Sequence, residues 1–251
     1  MKRLREAWRR SPWLAGLALA HAVLLLALAA AAIADATPVL GISRWIKPAK
    51  FAASIAIYLG TLAWYAPVLG ESKGRRRAYG LIAIAMVVEQ LVITIQAARA
   101  TTSHYNVSTL LDGALFQTMG IWIVINTVAA AWCGWLAWQA YRASADDYAL
   151  AIALGFALLL LGSGVGGVMI GHNAHTIGSA DGGAGLPFVN WSTVAGDLRV
   201  AHFIGIHALQ GLPLLVVFAG RRVMLGATVG WALLTVATLW QALGGRPLVA
   251  M

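Results

Sequence analysis

Two histidines of this 251-residue chain, His172 and His175, stand three apart in GHNAHTIG, where a long apolar run ends. One further helical turn would put both imidazoles on one face, the arrangement that two ligands of a single metal ion require. The segment GDLRVAHFIGIHALQG adds Asp197, Arg199, His202 and His207, and His104 closes an earlier apolar run. Two histidines from one segment, with a third histidine or a carboxylate from another, make a catalytic zinc centre that keeps a position open for water. The expected ligands are therefore His172, His175 and His202 around a divalent zinc, iron or copper ion, which would bring the pKa of bound water towards neutrality. Asp197 is the expected further ligand or general base, and Arg199 the group that meets an anionic substrate. HNAH lacks the glutamate of the HExxH metalloprotease motif.

Haem b is the alternative cofactor. His104 or His175 would face His202 or His207 as axial ligands, and the glycines of LGSGVGGVMIG would leave room for a flat ring. No CxxCH motif occurs, which argues against covalent haem. His202 and His207 lie about 140° apart on a straight helix, so they do not converge on one point. The same glycines, Gly162/Gly166 and Gly167/Gly171, also have the four-residue spacing that lets helix backbones approach closely.

A third group is charged and lies in apolar surroundings. Glu89 falls near the middle of MVVEQLVITIQAAR, where an acidic residue costs roughly 2.5–3.5 kcal/mol and normally faces protein rather than lipid. Gln96 lies seven residues on, and Arg99 within about a quarter-turn of the same line. The stripe is either a structural network or the lining of a proton or solute route, as in a transporter or sensor, with Glu89 as its catalytic or proton-handling group. Lys47 and Lys50, in WIKPAKF, either snorkel to lipid headgroups or bind an anionic substrate beside Gln96 and Arg99.

The elements that must position these residues are set by composition. Sixty per cent of the chain is hydrophobic and 11% charged, against roughly 25% charged in a soluble domain. Apolar runs of about 20 residues, enough to cross a bilayer, recur. They predict an all-α polytopic bundle forming one integral membrane domain, with seven spans at about 13–34, 49–70, 78–100, 113–141, 147–171, 200–219 and 222–243. The net charge of +9 is spread over span ends rather than gathered in a basic domain, which speaks against nucleic-acid binding. Cys133, the single cysteine, lies in an apolar run and forms no intrachain disulfide. Residues 1–36 carry a basic start and Ala-Asp-Ala, like a signal peptide, but their apolar stretch exceeds the usual 7–15 residues. An uncleaved first helix is expected.

Lys and Arg beside the spans set orientation. With the N-terminus inside, the cytoplasmic side receives Lys2, Arg3, Arg5, Arg9, Arg10, Lys73, Arg75, Arg76, Arg77, Arg142, Arg221 and Arg222. The opposite side receives Arg44, Lys47, Lys50, Arg99, Arg199 and Arg246. Twelve against six favours N-in/C-out. The outer loops then hold most of the histidines and uncharged polar residues, so the site is expected at the periplasmic face, with membrane lipids as partners and a lipid or amphiphile as substrate.

The combination SHYN, HNAHT, DGGAGLPFVNWS and GDLRVAHFIGIHALQ resembles a group of uncharacterised bacterial multi-pass inner-membrane proteins. That resemblance implies a location in the bacterial inner membrane. In design, the seven spans with histidines near one face are similar to the ceramidase and adiponectin-receptor-like membrane hydrolases. Where those proteins carry an HxxxH pair, this chain has instead HxxH at 172–175 and His202 and His207 five apart; the similarity of design implies zinc-dependent hydrolysis.

Overall fold

The computed structural model describes residues 8–251; the basic residues Lys2, Arg3 and Arg5 lie outside them. Two compact units divide the chain, Met1–Ala129 and Ala130–Met251. Five helices are long and apolar enough to cross a membrane, namely Pro12–Ala34, Lys73–Ala98, Leu110–Ser144, Asp147–His172 and Leu198–Leu243. The chain is thus an all-helical, polytopic membrane protein.

In the first unit, α1 (Pro12–Ala34) opens on a proline, whose missing N–H costs nothing in a first turn. A two-residue hairpin follows, β1 (Pro38–Val39) paired antiparallel with β2 (Ile42–Ser43). Helix α2 (Ile46–Tyr65) packs on α1 through Leu28, Ala49 and Ala52, with Leu24, Leu25 and Trp45 around them. Ser72 caps α3 (Lys73–Ala98) by accepting the Arg75 amide at 3.0 Å.

Polar reach ties α3 to α2. The Tyr79 hydroxyl donates to the Leu62 carbonyl at 2.7 Å, and Gln90 Nε2 donates to the Pro48 carbonyl at 3.3 Å. Arg75 donates to the Ala66 carbonyl just beyond the end of α2. Val92, Ile93 and Met119 form the apolar contact between α3 and the start of α4 (Leu110–Ser144).

The second unit is built differently. Asp146 caps α5 (Asp147–His172) by accepting the Tyr148 amide at 3.0 Å. Helix α6 (Leu198–Leu243) packs along α5 with backbone almost touching backbone. A Cβ on Gly162 would stand 2.7 Å from the Ile206 nitrogen, and one on Gly205 would stand 2.6 Å from the Gly162 Cα. Only hydrogen fits there. Beside this crossing, Leu150, Ala151, Leu158, Ala208, Leu212 and Met224 form a buried cluster.

The expected sixth and seventh spans are one 46-residue element that turns at Gly220, whose φ of 78° lies in the left-handed region. Between α5 and α6, β3 (Thr176–Ile177) pairs antiparallel with β4 (Gly196–Asp197).

Candidate functional site

Helix α5 stops where the metal hypothesis needs it to continue. Asn173 adopts a left-handed conformation at the C-cap (φ 56°), so His175 leaves the helical face that carries His172. The His175 ring then turns to Asp181, with Nδ1 2.5 Å from Oδ2. The same carboxylate accepts the backbone amides of His175 and Thr176 at 3.1 and 3.0 Å and the Thr176 hydroxyl at 2.8 Å. Burial pushes the Asp181 carboxyl up, but hydrogen bonding and charge from His175, with the Thr176 hydroxyl, hold it well below the usual carboxylate range. His202, the third expected ligand, places Nδ1 2.8 Å from the Gly162 carbonyl.

The expected ligands are therefore spread over three separate arrangements. Among the described residues no group of three or more His, Cys, Asp or Glu side chains is placed to hold a metal ion. The expectations of a histidine cluster, of a zinc, iron or copper centre on His172, His175 and His202, and of a metal-dependent hydrolase are corrected accordingly. The haem alternative is corrected too. The glycine face expected to admit a flat ring is closed by the Gly162–Gly205 contact, and the His202 imidazole lies against Gly166.

Asp197 and Arg199, expected in catalysis, stand at the start of α6. The Asp197 side chain, 2% exposed, accepts the Arg199 amide at 3.0 Å and the Ser192 amide at 2.7 Å. The Arg199 guanidinium donates to it at 2.8 Å through Nε and at 2.5 Å through Nη2, and also to the Asn190 carbonyl. His207 places Nδ1 2.7 Å from the Phe203 carbonyl and stacks on that ring, with centroids 4.0 Å apart.

In the first unit the Glu89–Gln96–Arg99 stripe divides. Gln96 and Arg99 both turn to Asp112, which accepts from Gln96 Nε2 at 2.8 Å, Arg99 Nη1 at 2.5 Å and the Thr109 hydroxyl at 2.6 Å. Asp112, like Asp181 and Asp35, is a residue that sequence reasoning missed. Its signal was the spacing Thr109-x-x-Asp112 at a helix start, a relative of the capping box, and the Asp112 amide does donate to the Thr109 hydroxyl at 3.1 Å.

Glu89 is buried on α3, and Lys47 is the positive charge that acts on it. The Lys47 ammonium lies 3.2 Å from His104 Nδ1, which the Ser103 hydroxyl also approaches at 3.1 Å. Phe51, Tyr105 and Phe116 surround the His104 ring at centroid distances of 6.0, 6.0 and 6.4 Å.

Asp35 completes this end of the unit. It accepts from the Thr37 amide, Arg44 Nε and Trp45 Nε1 at 3.0, 2.7 and 2.8 Å, and these bonds, Thr37 foremost, hold its carboxyl well below the ordinary range. Arg44 also donates to the Ala98 carbonyl at 3.0 Å, joining the hairpin to the end of α3. Lys50 lies one turn beyond Lys47 on α2 and is half-buried.

The class these features define is a polytopic helical membrane protein with ordered, charge-paired loops. Compared with protein-family models, curated proteins and solved structures, the chain matches none.

Proposed function

We propose that the chain is a bacterial inner-membrane protein that binds the anionic headgroup of a membrane amphiphile at its outer face, through Lys47 assisted by Lys50. The observation that carries this is the Lys47–His104 contact of 3.2 Å within an aromatic wall. Asp35 and Asp112, the latter in the first turn of α4, are each engaged by an arginine, at 2.5 Å in both cases. Phe51, Tyr105 and Phe116 offer apolar surface beside the cation, which suits a headgroup with its first methylenes.

The same reading places seven crossings N-in/C-out. Helix α6 has 46 residues, about 69 Å at 1.5 Å per residue, which is over twice a hydrocarbon core of about 30 Å. It turns at Gly220, beside Arg221 and Arg222, which the positive-inside rule keeps in the cytoplasm. Helix α2, with 20 residues and both lysines in its first turns, is long enough to cross with its cations at one interface. The resemblance to bacterial multi-pass inner-membrane proteins fits this orientation.

Lipid contact measured with spin-labelled phosphatidylglycerol and phosphatidylcholine tests the binding. The unsubstituted protein is expected to prefer the anionic lipid, and Lys47→Gln to lose that preference. If Lys47 serves only to offset Glu89, the double variant Lys47→Gln/Glu89→Gln regains it, and the proposal fails.

A further inference from the structure

Between β3 and β4 the chain makes a further hairpin over residues 184–193. An antiparallel bridge of Gly185 with Ser192 closes it, and the Thr193 amide donates to the Ala184 carbonyl at 3.0 Å. Its tip reads LPFVN, and no charged residue occurs between Asp181 and Asp197. Phe188, at the tip, is 79% exposed.

The tip meets its backbone amides internally. The Leu186 amide donates to the Trp191 carbonyl at 2.8 Å, the Asn190 amide to the Leu186 carbonyl at 2.8 Å and the Val189 amide to the Pro187 carbonyl at 2.7 Å. Pro187 has no amide proton to satisfy. The Val189 bond closes a γ-turn centred on Phe188, whose φ of 61° is rare and strained for a bulky residue. In water the solvent would meet those amides without such strain. In hydrocarbon it cannot, and internal bonding becomes obligatory.

The hairpin also runs in the right direction. From Leu198 to the turn at Gly220, α6 measures about 33 Å, one hydrocarbon thickness of about 30 Å, so Leu198 marks a membrane edge. At the base of the hairpin the Ser192 amide donates to Asp197 at 2.7 Å. Nearer the tip, the Asn190 carbonyl accepts from Arg199, and the Trp191 ring meets Phe203 edge-on with centroids 5.5 Å apart. Its partners thus move from the residue before α6 to Phe203, about 8 Å below the helix start. Phe203 is itself 44% exposed, so the hairpin continues a face of α6 that lipid reaches. A soluble partner would have to enter the headgroup layer to meet this tip.

We propose that the hairpin 184–193 is a finger that dips into the leaflet at the start of α6, with Phe188 anchored among the first acyl methylenes. Trp191 then lies at the membrane interface, where indoles gather. In the N-in/C-out orientation proposed above this is the outer leaflet, but the depth of the finger does not depend on that reading.

The test uses the full-length protein in phosphatidylcholine vesicles. Cys133, the single cysteine, is replaced by alanine, and a nitroxide is attached at Phe188→Cys. Pro187→Cys, also exposed, repeats the reading with Phe188 in place. Power saturation then compares collisions with oxygen, which concentrates in lipid, and with a water-soluble nickel chelate. Oxygen is expected to exceed the chelate at both tip positions. Ala180→Cys, exposed in the same loop but outside the hairpin, should show the reverse order. The proposal is overturned if the chelate exceeds oxygen at either tip position, or if Ala180→Cys ranks the two reagents as the tip does. A tip label shielded from both reagents overturns it too, because protein rather than lipid would then cover the finger.

Discussion

His104 and His175 both lie in loops that follow a membrane helix, and each has a charged partner, yet the two sites demand opposite things of the ring. The Lys47 ammonium, 3.2 Å from His104 Nδ1, can only donate, so that nitrogen must be bare. The Asp181 carboxylate, 2.5 Å from His175 Nδ1, can only accept, so that nitrogen must carry its proton. One residue type therefore serves a cation site in one unit and a carboxylate clasp in the other. The choice is made by which charged residue the loop delivers.

The helices around them differ in a parallel way. The first unit joins α2 to α3 with side chains that reach a neighbour's carbonyl, whereas the second lets α5 and α6 meet through glycines. Reach tolerates change, because a lost hydrogen bond leaves the apolar packing in place. Contact does not.

The largest effect should come from breaking that contact. In Gly162→Leu the new side chain has no space against the Ile206 nitrogen and Gly205 backbone, at 2.7 and 2.9 Å from its first carbon. Overpacking of this kind costs typically 1–3 kcal/mol and more where only backbone can yield. We expect loss of about 3 kcal/mol or more, read as a collapse in the yield of monodisperse protein and in its unfolding midpoint. Gly164→Leu, on the same helix but facing open space, should leave both nearly unchanged. Equal damage from the two would mean that α5 and α6 do not pack in this way.

The carboxylate clasp gives the second test, and its sign is fixed. Asp181 is held below its ordinary value of 3.8 in the folded protein, against the upward push of its own burial. Its contribution is therefore complete above that value and drains away as pH falls towards the lower, folded one. Protease resistance of the loop at 173–197 should hold from neutral pH to about 4 and then fall. Asp181→Asn should lower the resistance at neutral pH and flatten its dependence at the acid end. An unchanged acid limb in that variant would show that another group controls it.

Much of this architecture was legible as runs of apolar residues, because a span needs only length and hydrophobicity. The boundaries were less so. Helix α2 begins at Ile46 and stops at Tyr65, where the apolar run suggested 49–70. The aliphatic stems of Lys47 and Lys50 let the helix start earlier, and the Tyr65 carbonyl turns to accept the Val68 and Leu69 amides. The polar sites were harder still. Sequence placed the histidines in the right loops but not their partners, because Asp181 reaches His175 through an irregular glycine-rich turn that has no period to detect. Helical geometry correctly aligned Gln96 with Arg99, yet it does not reveal that Asp112, from the next helix, is what they face. Glycine spacing indicated close packing. Of the glycines in that pattern only Gly162 meets the partner's backbone, and Gly155 and Gly205, which share the contact, lie outside the pattern.

The smallest expected effect tests the first unit's side of the comparison. Tyr79→Phe removes only the hydroxyl that donates to the Leu62 carbonyl and keeps a ring that is 2% exposed. Hydrogen bonds between membrane helices are worth on average about 0.6 kcal/mol, since the freed groups find other partners. A decrease of that order in unfolding free energy is expected, with no change in lipid preference, because Lys47 and His104 touch neither atom. Should Tyr79→Phe instead destabilise as severely as Gly162→Leu, reach and contact would be equally brittle, and the distinction between the two units would fall.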